Sequence, residues 1–202
     1  MNQLFGLVIA GVAMFGSPGP AVLSVAATGA AFGFRAGLPY AAGIVTGTLI
    51  VAAMVLSGIA GLLLVIPGVK PVIVIVAALY ILYLAYRIAT APPLGTVTRS
   101  GHTPKFVNGL ALALANPKAY AGIGAVFSPH TLVAADPLWD GIAKLSLLAI
   151  IIAIIDPVWL LAGSALARLF AAPKKSRWLN ITFALALLVA ILIAVPGAIG
   201  LA

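Results

Sequence analysis

Lys118 and Asp156 are the two full charges set inside long apolar runs of this 202-residue chain. A charge at the centre of a spanning helix costs about 2.5–3.5 kcal/mol on insertion scales. Opposite signs at similar depth on different helices favour one interior cavity where the two interact, directly or through water. A carboxylate there can hold an ammonium group or exchange protons; a lysine can balance it or anchor a substrate carboxylate. A static ion pair joining two helices is the alternative. Near these charges, a good N-cap residue precedes proline three times: Ser17-Pro18, Asn116-Pro117 and Asp156-Pro157. Proline inside a helix removes a donor and clashes with the carbonyl four residues earlier. Ser, Asn and Asp favour the N-cap and Pro the next position. Each pair therefore reads as the end of one half-helix and the start of another, and Gly19 and Pro20 sharpen the first break. Half-helix N-termini at one depth supply partial positive charge and N–H groups that suit a carboxylate. Three unconnected kinks are the alternative reading.

The elements that must carry these residues follow from composition. Hydrophobic residues make up 64% of the chain and charged residues 7%, against roughly 25% charged in soluble domains. Mean hydropathy is +1.26. So little polar surface cannot cover a core, which excludes a water-soluble globular domain and a disordered chain. The chain is expected to be an integral membrane protein. The absence of Cys excludes disulfides and thiolate sites, and two His offer no transition-metal cluster. The formal charge of +8 reads as basic cytoplasmic loops and not as a nucleic-acid surface. At about 20 residues per span, a single transmembrane domain over 1–202 is expected, with no sizeable part outside the bilayer. The N-terminal stretch lacks a basic leader and reads as half of a retained first helix.

Apolar runs predict six spans over about 3–32, 37–65, 71–91, 104–128, 141–168 and 178–200. The first, fourth and fifth are expected to break at their proline pairs near the bilayer midplane. Loops after the first, third and fifth spans hold Arg35, then Arg87, Arg99 and Lys105, then Arg168, Lys174, Lys175 and Arg177. The opposite side holds Lys70 and Lys144, beside Asp136 and Asp140. That bias puts the basic loops in the cytoplasm and both termini outside. A polar linker divides the chain into pseudo-repeats 1–93 and 104–202. An odd number of spans in each half gives the halves opposite orientation, the layout of an inverted repeat in a transporter.

Smaller signals carry less. Gly29-x-x-x-Gly33 and Gly43-x-x-x-Gly47 fit close helix packing. Thr46 and Thr48 either face the cavity or bond back to their own helix. Tyr80, Tyr83 and Tyr86 read as a packing stripe or as an aromatic belt beside Arg87. His102 and His130 are expected in solvated loops.

Ser17-Pro18-Gly19-Pro20, then Gly33-Phe34-Arg35-Ala36-Gly37 and Gly43-x-x-x-Gly47, resemble the first repeat of the LysE/RhtB family of amino-acid exporters. Phe106-Val107-Asn108-Gly109 and Leu114-Ala115-Asn116-Pro117-Lys118-Ala119-Tyr120 resemble its second repeat, and a mid-helix Asp such as Asp156 is typical. The resemblance spans essentially the whole chain. It implies proton-driven export of amino acids or close derivatives across the bacterial inner membrane. It also implicates Pro18, Gly19, Pro20, Asn116, Pro117, Lys118 and Asp156. Ala21 stands where members often carry a polar Asn.

The expectation is an all-α membrane protein of six transmembrane helices in two inverted three-helix repeats. It moves a small amphoteric solute at a site of Ser17, Pro18, Gly19, Pro20, Asn116, Pro117, Lys118 and Asp156, with Asp156 coupling protons. Its partners are the solute, protons and membrane lipid; no nucleic acid, cofactor, metal or catalytic residue is called for, and a homo-oligomer is left open. A divalent-cation exporter fits poorly with three acidic residues in all. A membrane-embedded enzyme would need a nucleophile and base that the inferred site lacks, and a structural scaffold leaves the central charges unexplained.

Overall fold

The computed structural model describes residues 2–61, 66, 68–90, 103–169 and 173–199. Among them every regular element is a helix: α1 (Asn2–Gly16), α2 (Pro20–Phe32), α3 (Phe34–Leu56), α4 (Val69–Ala89), α5 (Phe106–Ala115), α6 (Pro117–Phe127), α7 (Pro137–Leu169) and α8 (Pro173–Ile199). Both α3 and α7 are long and apolar enough to cross a membrane. The pairs α1/α2 and α5/α6 also qualify when each is taken as one bent span. Shorter apolar stretches, Ala78–Ala89 and Arg177–Ala190, lie within α4 and α8. Arg99, His102 and the end of the second expected span, 62–65, fall outside the described residues.

Two of the three expected breaks are present. Between α1 and α2 the axis turns by 57°, and between α5 and α6 by 63°. At the second, Asn116 is extended (φ −81°, ψ 106°) and its side chain accepts the Lys118 N–H at 3.1 Å, with Pro117 opening α6. This is the N-cap arrangement that the dipeptide predicts.

The first break differs from expectation in its register. Helix α2 starts at Pro20 behind Gly19, which makes no side-chain cap. The Ser17 hydroxyl instead donates to the Met14 carbonyl at 2.8 Å, so it closes the end of α1. Two prolines remove two donors within three residues, which moves the new start past Ser17.

The third expected break is absent. Helix α7 runs unbroken through Pro157 for 33 residues. A proline frees a carbonyl, and the chain departs from the helix where other groups take up the freed polar atoms. At the α6 break the Ala113 carbonyl that Pro117 deprives takes the Asn116 N–H at 3.2 Å, and the Leu114 carbonyl, freed because the Lys118 N–H has turned to the Asn116 side chain, takes the Tyr120 hydroxyl at 2.8 Å. Around Pro157 no side chain among the described residues takes that part. Asp156 therefore projects from the wall of a continuous helix and is no N-cap.

Helices from the two halves of the chain interlock. The most extensive packing joins α3 to α5, α2 to α7 and α4 to α8. Glycines make the first two crossings possible. A Cβ on Gly29 would strike the Leu160 carbonyl, and one on Gly163 the Ala26 carbonyl. Gly43 faces the Phe106 carbonyl and Gly109 the Tyr40 carbonyl in the same way. Gly33 has another role: its φ of +86° turns α2 into α3, a conformation L side chains resist.

Apolar burial gathers in two clusters. One centres on Val25, Tyr40, Ile44, Leu84 and Leu160; the other on Leu7, Val51, Ile123, Phe127 and Leu148.

Several expectations at the helix ends are corrected. Lys174, Lys175 and Arg177 lie in the first turns of α8, because Pro173 opens that helix earlier than the apolar pattern does. Lys144 is buried within α7 and pairs with Asp140 one turn earlier at 2.6 Å. Asp140 also accepts the Leu132 and Val133 N–H groups at 2.6 and 3.0 Å, binding the 128–136 segment to α7. His130 is half-buried and its Nδ1 lies 2.8 Å from the Val126 carbonyl. It packs against Gly6 of α1, where a Cβ would sit 2.8 Å from its Nε2.

Candidate functional site

The two helix breaks meet. The last turn of α1 brings Met14 and Phe15, and the first turn of α2 brings Gly19, Ala21 and Val22. Helix α6 opens with Asn116, Lys118 and Ala119 beside them. Helix α3 contributes Ile44 and Thr48, and α7 contributes Ile152 and Asp156. Each of those last two pairs is spaced i, i+4 and so shares one helix face. These residues enclose a chamber drawn from both apolar clusters. Its volume open to water-sized molecules is about 30 Å³, room for about two waters.

Lys118 reaches across from one break to the other. Its ammonium donates to the Ser17 carbonyl at 3.0 Å, the Ser17 hydroxyl at 2.9 Å and the Pro18 carbonyl at 3.4 Å. These acceptors follow the C-terminus of α1, the negative end of its dipole, where a cation is stabilised. These carbonyls, which take no backbone N–H at the break, thus find a charged donor from the other half of the chain, while the Met14 carbonyl that Pro18 deprives takes the Ser17 hydroxyl. Gly19 makes the passage possible, since a Cβ there would stand 2.8 Å from the Lys118 Cδ.

Asp156 is 4% exposed and lines the same chamber. Among the described residues no hydrogen bond or ion pair reaches its carboxyl. The direct pair with Lys118 is therefore not formed: the lysine is engaged by Ser17 and Pro18, and the two charges face one cavity from different walls. Thr48 is buried at the chamber, while Thr46 is exposed and bonds back to the Ala42 carbonyl at 2.9 Å. Of the expected site residues, Gly19, Asn116, Lys118 and Asp156 line the chamber. Ser17 and Pro18 hold the lysine, and Pro20 and Pro117 open the two half-helices.

Sequence reasoning missed the apolar wall of Met14, Phe15, Ile44 and Ile152. Such residues look like any other core positions until the helices are placed. It also missed that Lys118 serves the opposite break, although Gly19 at the tightest point of the first motif is a signal that something large passes there. No cluster of three His, Asp or Glu that would hold a metal ion occurs among the described residues.

The chamber combines a cationic wall, two helix N-termini and a lone carboxylate inside an apolar shell. Such a site can bind a small solute bearing both signs of charge. No curated protein and no solved structure matches the chain. The LysE type translocator model matches residues 12–196, a stretch that contains both helix breaks, the chamber and the charges within it, and the chain belongs to that family.

Proposed function

We propose that the protein is a secondary transporter that exports amino acids or related small amphoteric solutes by proton antiport across the bacterial inner membrane. The family is one of translocators and not of enzymes, and the chain is a multi-pass membrane protein. The observation that carries the finer reading is the chamber at the two breaks, with Lys118 and Asp156 on separate walls. The first turn of α2 has no side-chain cap, so the amides of Ala21 and Val22 suit a substrate carboxylate beside Lys118. Asp156 takes the ammonium group. A proton and a substrate ammonium cannot both occupy that carboxylate, and this competition is enough to couple their movements.

Six spans in two inverted halves, with both termini outside, supply the motion. Support comes from the packing of each half on the other, α2 on α7 and α3 on α5. Both crossings lie toward the ends that carry Arg35, Lys105 and Arg168. Their counterparts at the other ends, α1 on α7 and α6 on α3, pack less extensively. We read this conformation as closed on the basic, cytoplasmic face, with the opposite state reached when the tight and loose crossings exchange. The test is purified protein in liposomes loaded with a single amino acid. A pH gradient drives its flux above that of protein-free liposomes, screened first by ligand-induced thermal stabilisation. Flux independent of the gradient refutes antiport, and chemical conversion of the solute without a gradient refutes transport.

A further inference from the structure

Away from the chamber, a second cavity opens between α4 and α5 at the face that carries the basic loops. Tyr80, Tyr83, Leu84 and Arg87 line it from α4, and Thr103, Pro104, Lys105 and Asn108 from the start of α5. Its water-accessible volume is about 90 Å³, larger than the chamber's 30 Å³. Its chemistry is one-sided. Two cations, two phenols, a threonine hydroxyl and an amide contribute hydrogen-bond donors, and no carboxylate is among them. The Arg87 Nη1 donates to the Tyr83 hydroxyl at 2.8 Å, and its guanidinium stands 5.8 Å from that ring's centroid. Those contacts fix the planar group at the cavity wall. Lys105 stands opposite, just before α5, where the helix dipole adds positive potential.

Depth identifies the occupant. Tyr83 is 51% and Tyr86 67% exposed, on the flank of α4 turned away from the bundle. Exposed tyrosines ending an apolar span beside arginine mark the headgroup level of a bilayer. Basic pockets between spanning helices at that level suit anionic headgroups. We infer that the cavity between Arg87 and Lys105 binds a phosphate group, that of an anionic phospholipid in the leaflet touching the basic face. The donor set suits a phosphate: a guanidinium and an ammonium on facing walls, with hydroxyls and an amide between them.

The test uses the whole purified protein in neutral detergent. Short-chain phosphatidylglycerol, short-chain phosphatidylcholine and inorganic phosphate are titrated separately, following thermal unfolding, with native mass spectrometry counting retained lipid. Phosphatidylglycerol is expected to raise the unfolding temperature and leave one lipid bound, with phosphatidylcholine at least tenfold weaker. Arg87→Gln/Lys105→Gln, or Lys105→Gln alone if the double variant folds poorly, is expected to weaken phosphatidylglycerol at least tenfold. Arg35→Gln is the control, because Arg35 is an exposed cation outside the cavity. An equal response to inorganic phosphate, lost in the same variants, supports the phosphate site and assigns it to a soluble anion. Equal stabilisation by both lipids overturns the inference, as does an equal loss in Arg35→Gln or a response that survives the double substitution.

Discussion

Replacing Lys118 by Met keeps most of the side chain's bulk and removes its three donors. The bonds lost run to the Ser17 carbonyl, the Ser17 hydroxyl and the Pro18 carbonyl. Hydrogen bonds to charged groups contribute about 1.5–3 kcal/mol each. Lys118 is only part-buried and one bond is long, so the loss comes to about 2–3 kcal/mol once solvent screening is allowed for. For 150–250 residues about 2–4 °C follows each kcal/mol, so the unfolding temperature falls by about 5–10 °C. Ser17→Ala alone removes one of those bonds and the bond to Met14, a loss of about 1.5–2 kcal/mol. The double variant does not lose the shared bond twice, so a coupling of about 1 kcal/mol is expected. The assay is unfolding of the four proteins in one detergent. Additivity within about 0.3 kcal/mol, or unchanged stability in Lys118→Met, refutes the claim that this lysine joins the two breaks.

Gly29→Ala and Gly109→Ala drive a methyl into an opposing carbonyl and are expected to lose at least about 1–3 kcal/mol. Gly124→Ala, with open space around it, gains about 0.5–1 kcal/mol; equal effects at all three positions contradict the glycine crossings. Asp140→Asn keeps an acceptor for Leu132 and Val133 but removes the charge that pairs with Lys144 near the start of α7, an expected loss of about 1 kcal/mol. Adding Lys144→Met recovers more than half of it; no recovery in urea unfolding shows that the pair is not the cause. Pro157→Ala gives the Ala153 carbonyl a donor and stabilises α7 by up to about 1 kcal/mol. Asn116→Ala removes a cap and loses about 1 kcal/mol, and the reverse order in thermal unfolding refutes the distinction between the two prolines.

The all-helical architecture and the placing of Lys118 and Asp156 at one cavity were legible because charges and prolines in an apolar chain have few physical solutions. Asn116-Pro117 was read in full, since cap, proline and first turn are adjacent in sequence. Asp156-Pro157 has the same local chemistry and behaves differently. What separates them is whether a freed carbonyl finds a partner, as Leu114 does in Tyr120, and spacing along one helix leaves that open. Ser17 misled for a related reason: a hydroxyl beside proline serves either helix end, and the second proline at position 20 shifted the choice. Lys144 looked like an end-of-helix charge because its burial depends on the 128–136 segment bound to Asp140. The Lys118 bonds to Ser17 span about a hundred residues, and only the meeting of the two breaks makes them visible.

The central claim is that one carboxylate, Asp156, takes a proton and a substrate in turn. Asp156→Asn keeps the size but mimics the protonated carboxyl, so liposomes containing it should bind and exchange substrate only weakly and fail to accumulate it when a pH gradient is imposed. Gradient-driven accumulation at the wild-type rate in that variant would place the coupling elsewhere and contradict the account.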